Sequence, residues 1–226
     1  MRRLILFAKT PRLHEVKTRL VPPLTPAQAL AFHLAFLEDQ AAFVAAFAAA
    51  SSRPLGGEIC VDRPPDEGGS PSCAAGLPVT LQGSGDLGDR MARAFARAFA
   101  EGARAVAILG ADAPSLPGGR VADLFDRLDG SDPTVLVVPA ADGGFVMIGS
   151  RRPVDALFRG IPWGSPGVLA ALRRRAAEAA VPLAEADGWY DVDRAEDLLR
   201  LRDDLERTPS RAPRTLRLYS RFPPVV

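Results

Sequence analysis

The sequence predicts an α/β fold, a Rossmann-like three-layer sandwich with a mostly parallel sheet. Three observations predict it. Short apolar runs alternate with stretches of helical length along the chain, the pattern of a sheet covered on both faces. Connections of this kind are almost always right-handed, which narrows the topology. At 226 residues the chain is long enough for one sizeable core.

The elements follow in order. Leu4–Phe7 is a buried first strand, and a basic loop leaves it. Pro26–Ala49 is a helix, with Phe32, Phe36, Phe43 and Phe47 as its core-facing stripe. Glu58–Val61 is a strand, Arg63–Pro78 a surface loop rich in Pro, Gly and Ser, and Val79–Gln82 a strand. Asp89–Glu101 is a helix, Ala105–Leu109 a strand, and Gly119–Leu128 a helix. Thr134–Val138 and Phe145–Ile148 are strands. Gly167–Ala180 and Arg194–Arg207 are helices. Residues 1–207 are expected to form one domain. Residues 208–226, with four prolines and four arginines, form a tail that is either disordered or an arm docking on the body or on a second subunit.

Composition excludes several classes. A formal net charge of +1 gives no electrostatic reason for a nucleic-acid partner or an anionic membrane. The Ala/Phe-rich helix carries His33, Glu38, Asp39 and Gln40 in its middle, which argues against a membrane span. Cys60 and Cys73 lack metal-ligand spacing, read as unpaired thiols, and suit a reducing, cytoplasmic setting. With only two histidines, neither in sequence reach of Ser115 or Ser165, Ser-His-Asp hydrolysis is not expected.

Of 28 lysines and arginines only two are lysines, Lys9 and Lys17, and both lie in the loop after the first strand. Chance placement in an arginine-rich chain is one reading. The other is a site that wants the compact, strongly hydrated ammonium. Basic loops at such strand ends hold phosphate, and Arg19 adds a bidentate fork. His14, inside the loop, reads as an exposed histidine without a function.

Three more constellations stand at strand ends. Gly83-Ser84-Gly85-Asp86-Leu87-Gly88 has the spacing of a dinucleotide fingerprint, but not on the first strand and without a placed ribose acid. It reads either as a cradle for a nucleotide base or ribose, or as a tight turn with Asp86 capping a helix. Asp112, in Gly110-Ala111-Asp112-Ala113-Pro114, is either a turn residue or a carboxylate that holds Mg²⁺ against phosphate. Asp142-Gly143-Gly144 has the form of a hairpin turn, and Asp193 with Glu196 that of a capping box. Asp191 or Asp193 could supply a second carboxylate beside Asp112. Trp163 and Trp189 read as packing residues.

Taken in order, Phe7-Ala8-Lys9-x-Pro11, Val16-Lys17-Thr18-Arg19-Leu20, Asp86-Leu87-Gly88-x-Arg90-Met91, Gly110-x-Asp112-x-Pro114-x-Leu116, Asp142-Gly143-Gly144-Phe145-x-x-Ile148-Gly149, Ile161-Pro162-Trp163 and Asp191-Val192-Asp193-x-x-Glu196-Asp197-Leu198 resemble the CofC-like glycosyltransferase family. That family lies within the GT-A, nucleotide-diphospho-sugar transferase superfamily, beside phospholactate and molybdenum-cofactor guanylyltransferases. The resemblance implies a GT-A-type sandwich and a bound nucleotide. It implies Ala8, Lys9, Lys17, Arg19, Gly85, Asp86, Leu87 and Gly88 at the nucleotide, and Mg²⁺ (or Mn²⁺) on Asp112 and Asp193. It puts Asp142, Gly143, Gly144, Trp163 and Asp191 on the side of a small-molecule acceptor. The chain departs from the pattern at His14, where glycine is usual, and at Phe145, where tyrosine is usual. Its aspartate pair is reduced to Asp112-x-Pro114, and the stretch from Arg120 to Asp142 is short.

The expected activity is nucleotidyl transfer from an NTP to a phosphorylated acceptor, with Lys9, Lys17, Arg19 and Asp112 as catalytic residues. Three cations are more than a metal-bound diphosphate needs and suit a leaving pyrophosphate. Glycosyl transfer from an NDP-sugar is the alternative. A dinucleotide-dependent oxidoreductase resting on the Gly83/Gly85/Gly88 turn, and a non-catalytic binding module, are more distant readings.

Overall fold

Each of the six expected strands forms where its apolar run lies, and a seventh short strand closes the sheet. The computed structural model describes residues 1–64 and 74–222. The strands are β1 (Arg2–Ala8), β2 (Leu55–Val61), β3 (Val79–Leu81), β4 (Ala105–Gly110), β5 (Val135–Pro139), β6 (Phe145–Ser150) and β7 (Leu183–Glu185). They line up as β3-β2-β1-β4-β6-β5-β7. Only β6 runs antiparallel to its neighbours, pairing β4 on one side and β5 on the other. The remaining pairings are parallel. The helices are α1 (Pro26–Ala50), α2 (Leu87–Ala100), α3 (Gly118–Leu128), α4 (Val168–Glu178), α5 (Ala195–Arg207) and α6 (Pro213–Arg221).

Strand periodicity sorts the core into two layers. Leu4 and Leu6 face α1 and α3, against Leu37, Ala41, Leu124 and Phe125. Ile5 and Phe7 face α2 and α4, against Met91, Phe95, Leu169 and Leu172. The stripe on α1 divides. Phe43 and Phe47 pack against the sheet layer, whereas Phe32 and Phe36 turn into a third cluster with Leu198, Leu201 and Tyr219. Phe32 and Phe36 are fully buried, each contributing about 1.5–3 kcal/mol of transfer free energy. By length and composition α1 could cross a bilayer, but half of its most apolar window is buried inside this molecule.

The segment expected as a tail carries α6, and α6 docks on the body. Asp39 of α1, its side chain wholly buried, accepts from the Arg214 N–H at 3.1 Å and the Thr215 N–H at 2.8 Å. A carboxylate from another helix thus satisfies two of the donors that a helix start leaves open. Tyr219 completes the dock, its ring 5.3 Å from that of Phe32. Cys60 is buried in β2 as a free thiol. Cys73 and most of the Arg63–Pro78 loop lie outside the described residues.

Candidate functional site

β1 and β4 are parallel neighbours, with Phe7 level with Gly110. Their exits, the lysine loop and the Asp112 turn, therefore leave the sheet side by side. The antiparallel β6 starts at the same edge, and the chain returns there through an isolated bridge between Ala140 and Trp189. Four loops distant in sequence converge on the carboxyl edge of the sheet, where α/β proteins bind ligands. They enclose a cleft of about 520 Å³, within the range of small-molecule sites.

The lysine loop is held by its own residues. The Thr10 N–H donates to Asp62 at 2.7 Å and its hydroxyl to the Arg63 carbonyl at 2.6 Å. Val16 and Leu20 are buried and anchor the far end, through a 3₁₀ turn at Thr18–Leu20. Between the anchors, His14 (φ 66°) and Lys17 (φ 50°) adopt the left-handed conformation that glycine takes more readily. The departure from glycine at His14 thus keeps a glycine-like backbone.

This conformation turns Lys17 inwards. Its side chain is only 3% exposed. The ammonium lies 2.7 Å from Asp112 Oδ1 and 3.9 Å from Asp193 Oδ1, and it donates to the Val192 carbonyl at 2.6 Å. Arg19 reaches the other oxygen of Asp193 at 2.9 Å. Burial alone would push the Asp112 carboxyl up, but the Lys17 ammonium outweighs it and holds it below the usual carboxylate range. Lys9 is exposed at the cleft and has no ion-pair partner among the described residues.

The cleft has an acidic side too. Burial alternates along Tyr190-Asp191-Val192-Asp193: Tyr190 and Val192 are buried while Asp191 and Asp193 line the cleft. Burial, and then the Asp142 carboxylate with Asp193 and Asp112 behind it, push Asp191 up to about 6. Asp193 does not cap α5. The helix starts one residue later than the expected box, and Asp197 reaches back to the N–H groups of Asp193 (3.0 Å) and Arg194 (2.7 Å). That leaves the Asp193 carboxylate to the cleft.

Ala8, Lys9, Lys17, Arg19, Leu87, Asp112, Asp191 and Asp193 thus share one cleft. The other expected residues support its walls. Asp86 caps α2 in a reciprocal box, accepting from the Asp89 N–H at 2.9 Å. Gly85 (φ 99°) lets Asp89 fold back in that box. Gly88 leaves room for Trp163, whose indole packs against it and sits edge-on to Phe145. Asp142 accepts from the Gly144 N–H at 2.8 Å in a tight turn. At Gly143 (φ 90°) a Cβ would run into the Pro166 carbonyl. The Gly143 carbonyl in turn accepts from Leu169 N–H at 2.9 Å, fastening the start of α4 to the Asp142–Gly144 turn.

Two residues of the site escaped the sequence reading. Arg90, on the first turn of α2, lines the cleft and donates its Nε–H to the Gly85 carbonyl at 2.9 Å. His33 of α1 stands behind Lys9, its Nε2 3.0 Å from the Lys9 carbonyl. A carbonyl only accepts, so Nε2 carries the proton; burial lowers the pKa and keeps the ring neutral. In the sequence it counted only as a polar residue in the middle of α1, because its approach to Lys9 joins positions 24 residues apart.

Among the described residues no group of three or more His, Cys, Asp or Glu side chains is arranged to hold a metal by itself. The residues present nevertheless fit a hard divalent cation. Asp112 and Asp193 come from two loops, face one cleft and already share a cation in Lys17. Mg²⁺ typically takes one or two carboxylates and completes its shell with phosphate and water.

The seven-stranded, mostly parallel sheet flanked by helices is a mixed α/β fold that matches GT-A-like nucleotide-diphospho-sugar transferase structures. A crystal structure from Desulfovibrio desulfuricans G20, provisionally named a nucleotide-diphospho-sugar transferase, is similar over 97% of this chain and 94% of its own, at 26% identity and a TM-score of 0.85. CMP:2-keto-3-deoxy-manno-octonic acid synthetase in complex with CTP shares the fold at 14% identity and a TM-score of 0.56, over 92% of this chain and 99% of its own. So does 4-diphosphocytidyl-2C-methyl-D-erythritol synthase, at 13% identity and 0.56, over 90% and 98%. Residues 45–165 match DUF2064, described as "Uncharacterized protein conserved in bacteria", and the chain belongs to that family. The search of curated proteins found no match.

Proposed function

We propose that this protein is a transferase acting on an activated nucleotide, by nucleotidyl transfer from an NTP to a small phosphorylated acceptor with release of pyrophosphate. One observation carries the reading: Lys9, Lys17 and Arg19 and the carboxylates Asp112 and Asp193 line the same cleft at the carboxyl edge of the sheet. Three cations in one cleft suit a triphosphate. The carboxylates beside them suit Mg²⁺ or Mn²⁺, which would neutralise charge on the reacting phosphates.

In this reading Lys9 and Arg19 bind the β- and γ-phosphates and stabilise the leaving pyrophosphate. Lys17 is the internal counter-ion of Asp112 and Asp193; those two carboxylates would hold a divalent cation, which would supply charge neutralisation at the phosphates, with Lys17 adding positive charge beside them. Leu87 and Arg90 contact the base or ribose side, and the Asp142–Gly144 turn, Trp163 and Asp191 frame the acceptor side. An ionised phosphate nucleophile needs no general base. The finer placement among CofC-like proteins rests on the ordered motifs. Glycosyl transfer from an NDP-sugar is the second reading, supported by the name of the 26%-identical structure.

Lys9→Ala tests the site cleanly, because Lys9 holds no other described side chain in place. Titration with Mg²⁺ and the preferred NTP should show about 5- to 150-fold weaker binding, the 1–3 kcal/mol of a charge-assisted contact. Unchanged affinity removes the phosphate loop from the account.

A further inference from the structure

A buried chain of hydrogen bonds behind the acidic side of the cleft has no part in the chemistry proposed above. Trp189 Nε1–H donates to Ser115 Oγ at 3.3 Å, Ser115 to the Tyr190 hydroxyl at 2.9 Å, and Tyr190 to Asp204 Oδ2 at 2.6 Å. Its direction is forced from both ends. An indole N–H can only donate and an ionised carboxylate can only accept, so both hydroxyls between them point towards Asp204. Asp204 is kept ionised: burial alone would raise its pKa, but the Tyr190 hydroxyl and Arg207 bring it below the usual range. Chains aligned in this way strengthen each other, and one left half-satisfied is costly.

The chain joins three elements that bear on the cleft. Ser115, wholly buried, lies three residues beyond Asp112 on the exit of β4. Tyr190 directly precedes Asp191 and lies three residues before Asp193. Asp204 sits on α5, which follows that segment. The Tyr190 ring is packed, with Trp189 stacked at 5.4 Å and the Arg200 guanidinium over it at 3.9 Å. One backbone bond links the two carboxylate-bearing segments directly, from Val192 N–H to the Asp112 carbonyl at 2.8 Å. Because Tyr190 is covalently next to Asp191, and Val192 is tied to the Asp112 turn, a shift of Tyr190 is expected to displace Asp191 and Asp193.

We infer that Tyr190, held between Ser115 and Asp204, is a positioning residue that sets the spacing of Asp112 against Asp191 and Asp193, and so tunes the cleft for a divalent cation bound with nucleotide. The metal half of this inference rests on the proposed function; the positioning half rests on the structure alone. Neither Tyr190 nor Ser115 lines the cleft, so neither acts on substrate.

Tyr190→Phe removes the central hydroxyl and keeps the packed ring; Ser115→Ala removes the other link. Two readouts on the full chain separate the halves. The first is amide hydrogen exchange at Val192. Tyr190→Phe should speed it at least tenfold while Ile108, in the middle of β4, exchanges as in wild type. The second is Mn²⁺ binding, followed by the electron paramagnetic resonance of free Mn²⁺ with and without nucleotide. The variant should bind Mn²⁺ about tenfold more weakly in the nucleotide complex, while metal-free nucleotide affinity stays within about twofold. A purely structural role would lower the melting temperature without that split. The double variant Tyr190→Phe/Ser115→Ala should match Tyr190→Phe, since one link already breaks the chain. Val192 protection equal to wild type overturns the inference. Wild-type Mn²⁺ binding by the variant, beside a wild type that binds, overturns it too. A wild type that binds no Mn²⁺ with nucleotide contradicts the metal part of the proposed function, and Val192 exchange then decides the positioning role by itself.

Discussion

Lys17→Met tests the electrostatic logic of the cleft. Methionine keeps the length and apolar stem of lysine and removes the charge. In the wild type the ammonium lies 2.7 Å from Asp112 and 3.9 Å from Asp193, whose side chains are 47% and 38% exposed. Unit charges about 4 Å apart couple by about 4 kcal/mol at an effective dielectric of 20. Water reaching the half-exposed carboxylates screens this, leaving about 1–2 kcal/mol for the Lys17–Asp112 pair. The variant loses more than that coupling, because Asp112 is then left beside Asp193 without its Lys17 counter-charge, while Asp193 keeps Arg19. The assay is urea unfolding at pH 7 of wild type, Lys17→Met, Asp112→Asn and the double variant, closed as a cycle. The expected coupling is about 1–2 kcal/mol, and Mg²⁺ should stabilise Lys17→Met more than wild type, since it replaces the missing cation. A coupling below about 0.3 kcal/mol, the limit of additivity for independent sites, refutes the reasoning.

Three further outcomes follow from the same geometry. Asp86→Ala should cost about 1 kcal/mol of unfolding free energy, the usual loss of a helix cap, and leave nucleotide affinity within about twofold; a large affinity loss at unchanged stability would make Asp86 a ligand contact instead. Gly143→Ala forces a side chain into the left-handed region and against the Pro166 carbonyl, so it should lose about 2 kcal/mol or more, read from the urea midpoint by tryptophan fluorescence. At Asp62 and Asp129 burial alone would raise the pKa, but the Thr10 N–H at Asp62 and the Arg2 and Arg53 guanidinium groups at Asp129 outweigh it and hold both carboxyls below their ordinary value. The unfolded chain therefore binds protons first, and the stability these groups supply is complete above about pH 4–5 and lost as pH falls through their depressed folded values. Asp129→Asn should flatten the acid limb of a pH–stability profile; an unchanged limb would show that the depressed Asp129 carboxyl contributes nothing there.

The parts legible in the sequence were those written in local pattern. Strands such as Ala105–Gly110 are continuous apolar runs bounded by breakers, and α2 announces its start with Asp86. The lysine loop stood out because lysine occurs nowhere else. Long-range effects stayed hidden. β7 is three residues at a sheet edge, too short to show a period. α6 hides in a Pro/Arg-rich segment because its cap, Asp39, lies on a helix 175 residues earlier. Asp193 and Glu196 have the spacing of a capping box, and so do Arg194 and Asp197; only the packing of the segment decides that Asp197 takes the backbone donors. That Lys17 lies between Asp112 and Asp193 depends on the parallel pairing of β1 with β4 and on the left-handed backbone at Lys17, and neither is written in residue spacing.

The most direct test of the account is thermal unfolding with Mg²⁺ against a panel of NTPs and NDP-sugars, run in parallel on wild type and Lys9→Ala. A ligand that binds the folded form raises the melting temperature, by more the tighter it binds at equal concentration. The account predicts stabilisation of the wild type by one NTP above the NDP-sugars, dependent on Mg²⁺ and reduced in Lys9→Ala. Greater stabilisation by an NDP-sugar than by its NDP would move the reaction to glycosyl transfer on the same site. A melting temperature unmoved by every nucleotide would contradict the claim that this cleft binds them.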